Sequence, residues 1–147
     1  MASRHVLQQK LSRAGCEIRG DETVCGLIDG AMPATEDDWS TEYLDAIISV
    51  RVVDNIDEAV AHIRQCGSGH TESIVTENEL AAEQFFRDVD SSIVLQNASR
   101  QFADGCEFGF GAEIGIATGR IHACGPVGAD QLRSYKFVVG GSGQVRP

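Results

Sequence analysis

The chain of 147 residues carries 12 basic against 22 acidic side chains, a formal net charge of −10. That balance excludes an ordinary nucleic-acid partner, because neutralising phosphates needs clustered Lys and Arg. Apolar content of 42% and charged content of 23% exclude disordered and fibrous classes and describe a soluble globular protein, long enough for one domain that buries roughly 70% of its unfolded surface.

No run is long and apolar enough to span a bilayer, and the opening residues lack the apolar stretch of a secretory leader, so a cytoplasmic location without a membrane partner is expected. In residues 4–14, Val6, Leu7 and Leu11 fall at helical spacing, with Gly15 as the stop. Residues 16–19 read as a short extended piece. Residues 29–38, with Pro33 and several acids, read as an exposed connection ending at Trp39. Residues 46–53, an apolar and β-branched run, suggest a strand buried on both faces. Asp54 is the expected N-cap of a helix whose apolar face is Ile56, Ala59, Val60 and Ile63, with Asp57 and Glu58 favourable near its positive end and Gly67 closing it.

A strand over residues 72–75 follows. Thr76 and Glu79 then have capping-box spacing at the head of a second helix through Ala82, Phe85 and Phe86, and residues 92–96 form a third strand. Strand, helix, strand, helix, strand with short connections predicts an α/β fold, a parallel sheet with flanking helices and right-handed crossovers.

The stretch 97–128 changes character. Gly105, Gly109, Gly111, Gly115, Gly119, Gly125 and Gly128 weaken regular structure and open left-handed backbone space, so a shaped loop rather than helix or strand is expected. Between them stand Phe102, Phe108, Phe110, Ile114, Ile116 and Ile121. A solvated loop of this length would be polar, so a site or a subunit contact is indicated. Gly109, Gly111 and Gly115 miss the G-x-G-x-x-G spacing by one residue, and no strand leads directly into them, which sets a dinucleotide fingerprint aside. After Thr118 four bases stand against one acid, a tail able to meet a phosphate or carboxylate or simply to form a solvated surface. Cys16, Cys25, Cys66, Cys106 and Cys124 make an odd count without a Cys-x-x-Cys pair, and reduced thiols are expected. Cys66 with His70, and His122 with Cys124, match no familiar zinc spacing, so no metal is assigned.

The run N-A-S-R-Q-F-A-D-G-C-E-F-G-F-G-A-E-I-G-I-A-T-G-R-I-H-A-C-G-P-V-G at 97–128 resembles the closing signature of the gamma-glutamyl phosphate reductase family, also called glutamate-5-semialdehyde dehydrogenase, within the aldehyde dehydrogenase superfamily. The likeness continues through D-W-S-T-E-Y-L-D-A-I-I-S-V-R-V-V-D at 38–54, H-T-E-S-I-V-T-E at 70–77 and Y-K-F-V-V near the end. It covers only about the last third of such an enzyme. What it implies is NADPH-dependent reduction of gamma-glutamyl phosphate in proline biosynthesis: a thiolate displaces phosphate, and hydride reduces the resulting thioester to the semialdehyde. The nucleophilic cysteine is then expected upstream of Met1, and Cys16 falls in a strand and turn lying after it.

By the same resemblance, residues 1–100 are a partial α/β catalytic domain, and residues 101–147 a glycine-rich site loop with a C-terminal return or oligomerisation segment. Residues 42–47 resemble the E-x-F-G-P-V stretch of the wider superfamily, departing at Leu44 and Asp45, which makes Glu42 the implied contact of the NADP ribose. Asn97, Ser99, Gly109 and Gly111 are implied on the substrate side, Glu113 at its far edge, and His122 near the substrate carboxylate or phosphate. Plainer readings stand beside these: Asn97 tying off backbone groups, His122 packed and hydrogen-bonded. Arg100, Cys106 and Cys124 stand where the family pattern has threonine, glycine and arginine. Losing the arginine removes a fork of donors, and a side chain at Cys106 would strain a left-handed backbone. The expected partners are a small-molecule substrate, the missing N-terminal portion, or related subunits in a homo-oligomer. The alternative is a non-catalytic interaction module that pairs through an edge strand at residues 136–139.

Overall fold

The computed structural model describes residues 10–119 and 124–145. Residues 10–13 are helical, and Gly15, at φ +70°, ends that turn in the left-handed conformation glycine tolerates. β1 (Glu17–Gly20) runs parallel to β3 (Ile47–Val50) on one side and to the two-residue β2 (Met32–Pro33) on the other. Pro33, which has no amide to donate, occupies the edge.

Between β1 and β2 lies the short helix α1 (Glu22–Leu27), which the sequence reading did not anticipate. Asp21 caps it by accepting the Val24 amide at 2.8 Å, while its other oxygen accepts the Val52 amide at 2.9 Å. One carboxylate therefore starts a helix and pins the end of β3.

α2 (Ile56–Cys66) and α3 (Glu79–Asp88) form where the apolar periodicity put them, but both caps are displaced. Asn55, not Asp54, accepts the Glu58 amide at 2.9 Å, and Glu58 reaches back to the Asp54 amide at 3.0 Å. Asn78, not Thr76, caps α3 through the Ala81 amide, and Thr76 instead accepts the Asn78 amide at 3.0 Å. The cause is the same at both ends. At both ends the cap lies three residues before the amide it satisfies, and this register keeps Val60 and Phe85 facing inward. Those two residues and Val89 make the core, with Ile56, Ile63, Ile74 and Val94 packed against it.

β4 (Thr71–Ile74) and β5 (Ile93–Gln96) pair in parallel across α3. The α/β class with parallel strands and flanking helices therefore holds. The sequence suggested one three-stranded succession; instead β3 pairs with β1 and β4 with β5, giving two small parallel sheets. β3 is also shorter than expected and is not buried on both faces, since Ile48 is 39% exposed.

Two further expectations fail in the last third. β6 (Glu113–Ala117) and β7 (Gly125–Gly128) form an antiparallel ribbon in spite of their glycines, with a bulge between Glu113 and Gly115. The missing side chains are what permit it: a Cβ on Gly128 would stand 2.9 Å from the Ala112 carbonyl. Residues 136–139 form no strand. A strand needs a partner's ladder, and here Tyr135, Phe137, Val138 and Val139 stand 83 to 90% exposed.

Candidate functional site

The turn at residues 40–46 carries Glu42. Just before it, residues 29–38 are largely exposed, as their acids suggested, but they are not a plain connection, for they contain β2 and most of a short 3-10 helix, Glu36–Trp39. Asp38 is buried there. Its carboxylate accepts the Thr35 amide at 2.7 Å and hydroxyl at 2.8 Å, Arg19 at 2.7 Å and the Tyr43 hydroxyl at 2.7 Å. These donors, the Thr35 amide foremost and then Arg19 and Tyr43, hold the carboxyl far below the usual carboxylate range. Burial and then the Asp38 carboxylate push the Tyr43 phenol upward.

Glu42 itself is exposed and, among the described residues, makes no hydrogen bond or ion pair. Beside Tyr43, Leu44 is left-handed at φ +52°. On the other flank, Trp39, Arg51 and His62 border a cleft of about 220 Å³. The His62 ring meets Trp39 edge-on at 5.6 Å and lies 3.3 Å from Arg51. Burial first, and Arg51 second, pull the imidazole below its ordinary value.

The second group of anticipated residues follows β5. Asn97 is left-handed at φ +51°, and its side chain clamps the main chain of Thr76, accepting the amide at 2.9 Å and donating to the carbonyl at 2.8 Å. Ser73 donates to the Ala98 carbonyl at 2.9 Å, so the end of β4 is tied twice to the segment leaving β5. Ser99 opens a 3-10 turn over Arg100–Phe102 by accepting the Gln101 amide.

The glycine-dense loop then closes on itself. Glu113 accepts the Gly105 amide at 2.7 Å, and the Phe110 amide donates to the Gly105 carbonyl at 2.9 Å. A Cβ on Gly105 would stand 3.1 Å from the Glu113 side chain, a tight contact to which Glu113 would have to give way. Gly109 and Gly111 are left-handed at φ +78° and +77°. Phe108 and Phe110 are partly exposed on this loop, their rings 6.3 Å apart.

Asn97, Ser99, Gly109, Gly111 and Glu113 lie along one continuous segment, and Glu42, in the turn before β3, bonds to none of them. His122 lies outside the described residues. Cys106 is not left-handed, so the strain considered for it is absent; among described non-glycine residues only Leu44 and Asn97 have positive φ. Cys124 lies 3.0 Å from the Ser92 hydroxyl. Burial raises the Glu72 carboxyl, with Arg100 and then His70 opposing. Among the described residues no three His, Cys, Asp or Glu converge for a metal, and no helix is long and apolar enough to cross a membrane.

Sequence reasoning missed the Asp38 cluster. The available signal was Thr35 three residues before Asp38, the capping-box spacing on a polar segment.

Two small parallel sheets with their helices, continued by a glycine-dense ribbon, define an α/β protein of aldehyde dehydrogenase-like fold, and solved structures bear this out. The crystal structure of gamma-glutamyl phosphate reductase from Thermotoga maritima matches 97% of this chain with a TM-score of 0.90 at 51% identity, using 34% of that protein. The Saccharomyces cerevisiae enzyme matches 71% of the chain with a TM-score of 0.52 at 29% identity. Gamma-glutamyl phosphate reductase from Bradyrhizobium diazoefficiens is 62% identical over 141 residues, which are 96% of this chain and 32% of that protein. The Hyphomonas neptunium counterpart is 61% identical over 141 residues. No family model matches. The chain is homologous to the C-terminal part of the gamma-glutamyl phosphate reductases and spans about a third of their length.

Proposed function

We propose that this chain forms one wall of an active centre that reduces gamma-glutamyl phosphate to glutamate-5-semialdehyde with NADPH, in proline biosynthesis, together with polypeptide that carries the nucleophilic cysteine. The observation that carries the proposal is the backbone match to the Thermotoga maritima reductase at 51% identity over nearly the whole chain. Residues 1–100 contribute part of the catalytic sheet, and residues 101–147 the site loop and the return segment. The working protein is a cytoplasmic homo-oligomer acting on a small molecule.

NADPH, when bound, supplies the hydride. Glu42 fits its ribose: the residue is exposed and its carboxylate is unengaged among the described residues, as an acceptor for a diol must be. Residues 40–46 contain no Lys or Arg, so the cofactor's phosphates are held elsewhere.

On the substrate side, the left-handed backbone at Gly109 and Gly111 allows close approach to the acyl chain. Ser99 and Glu113 hold the loop in shape, Asn97 fixes its origin, and His122 meets the substrate carboxylate or phosphate. A second reading, an interaction module without catalysis, draws on the exposed apolar run at residues 135–139.

The test joins this chain to the upstream two thirds of the Bradyrhizobium diazoefficiens reductase. Phosphate-dependent reduction of NADP by glutamate-5-semialdehyde is expected from the joined protein and from neither part alone. A folded but inactive hybrid refutes the proposal, as does turnover by this chain unaided.

A further inference from the structure

We infer that Asp38, acting through Tyr43 and Arg19, is a positioning residue that fixes the turn presenting Glu42 and thereby sets the cofactor contact. The inference rests on the reading of Glu42 given above. Asp38 is 5% exposed, and both carboxylate oxygens are used: one takes the Thr35 amide and hydroxyl, the other Arg19 and the Tyr43 hydroxyl. Its main-chain carbonyl accepts the Ser49 hydroxyl at 3.2 Å. A single residue therefore ties β1, the 3-10 helix, β3 and the 40–46 turn.

Arg19 is itself aimed from a second side. It pairs with Glu17 at 2.6 Å and lies 5.1 Å from the centre of the Tyr43 ring. Tyr43 is thus drawn inward by a hydrogen bond at its tip and a cation at its face. Its neighbours Glu42 and Leu44 are both exposed. Leu44 adopts φ +52° while 89% exposed, a conformation unfavourable for its side chain and uncompensated by packing. The grip on Tyr43 is what holds the backbone there, and the same backbone aims the unengaged Glu42 carboxylate.

A cluster with only a structural role would change the amount of folded protein and leave cofactor affinity alone. In the joined protein, Tyr43→Phe removes one hydroxyl and keeps the ring. Its KM for NADPH is expected to rise about five- to tenfold, with kcat within about twofold. Arg19→Lys, which keeps the charge but loses the flat fork, is a second probe expected to act in the same direction. Glu42→Gln should raise the same KM, and Tyr43→Phe should then add nothing to it in the double variant, because the two act in series. Additive effects, or an unchanged KM in both Tyr43→Phe and Arg19→Lys, overturn the positioning role while leaving the Glu42 contact standing. An unchanged KM in Glu42→Gln overturns both.

Discussion

Asn97 can be tested by three substitutions that divide its contribution. Its side chain makes two hydrogen bonds to the main chain of Thr76, and its backbone is left-handed at φ +51°. Asn97→Gly removes both hydrogen bonds, each contributing about 1 kcal/mol, and leaves a residue at ease in that conformation. The expected loss is about 2 kcal/mol. Asn97→Ala loses the same bonds and adds the left-handed penalty of about 1 kcal/mol, so about 3 kcal/mol is expected. Asn97→Asp keeps an acceptor for the Thr76 amide but turns an oxygen toward the Thr76 carbonyl; about 1 to 2 kcal/mol is expected. Urea unfolding followed by far-ultraviolet circular dichroism measures each value. Equal losses in Ala and Gly would refute the backbone argument. Wild-type stability in all three, with a raised KM for substrate in the joined protein, would make Asn97 a ligand contact instead of a clamp.

Gly20→Ala places a Cβ 2.3 Å from the Val24 side chain, which is 2% exposed, so a loss of about 1 to 3 kcal/mol is expected by urea titration; a neutral effect would mean that α1 shifts freely. Asp38 titrates below its unfolded value of about 4, so its stabilisation is complete above that pH and is lost as pH falls through the depressed folded value. Acid unfolding of Asp38→Asn should accordingly show a shallower decline below about pH 4 than the parent, and identical slopes would contradict the bonding at Asp38. His62 is also depressed. Its contribution is present above about pH 6.5 and lost as pH falls through the lower folded value, which His62→Gln should abolish in a melting-temperature profile.

The parts of the fold readable from sequence were those set by local period. Val60 and Phe85 repeat at helical spacing, and the β-branched run before Gln96 gave β5. The caps slipped because Asp54 and Asn55, or Thr76 and Asn78, can all accept a helix-terminal amide, and packing of the apolar face chooses between them. The pairing of β3 with β1 was not readable, since a parallel partner thirty residues earlier leaves no local mark. Nor was the burial of Asp38, one of three consecutive acids, Glu36, Asp37 and Asp38, distinguished only by where Arg19 and Tyr43 arrive. In the glycine-dense segment, composition pointed to left-handed backbone, which Gly109, Gly111 and Gly125 adopt and Gly105, Gly115, Gly119 and Gly128 do not, and it hid the β6–β7 ribbon, because glycine's cost to a strand is offset where backbones must close on one another, as at Gly128.

The most direct measurement is a crystal structure of the joined protein with NADPH bound. A Glu42 carboxylate within hydrogen-bonding distance of the nicotinamide ribose, with the 105–113 loop facing the nucleophilic sulfur, is the expected result. Glu42 directed into bulk water, with that loop remote from the sulfur, would contradict the claim that this chain walls the active centre.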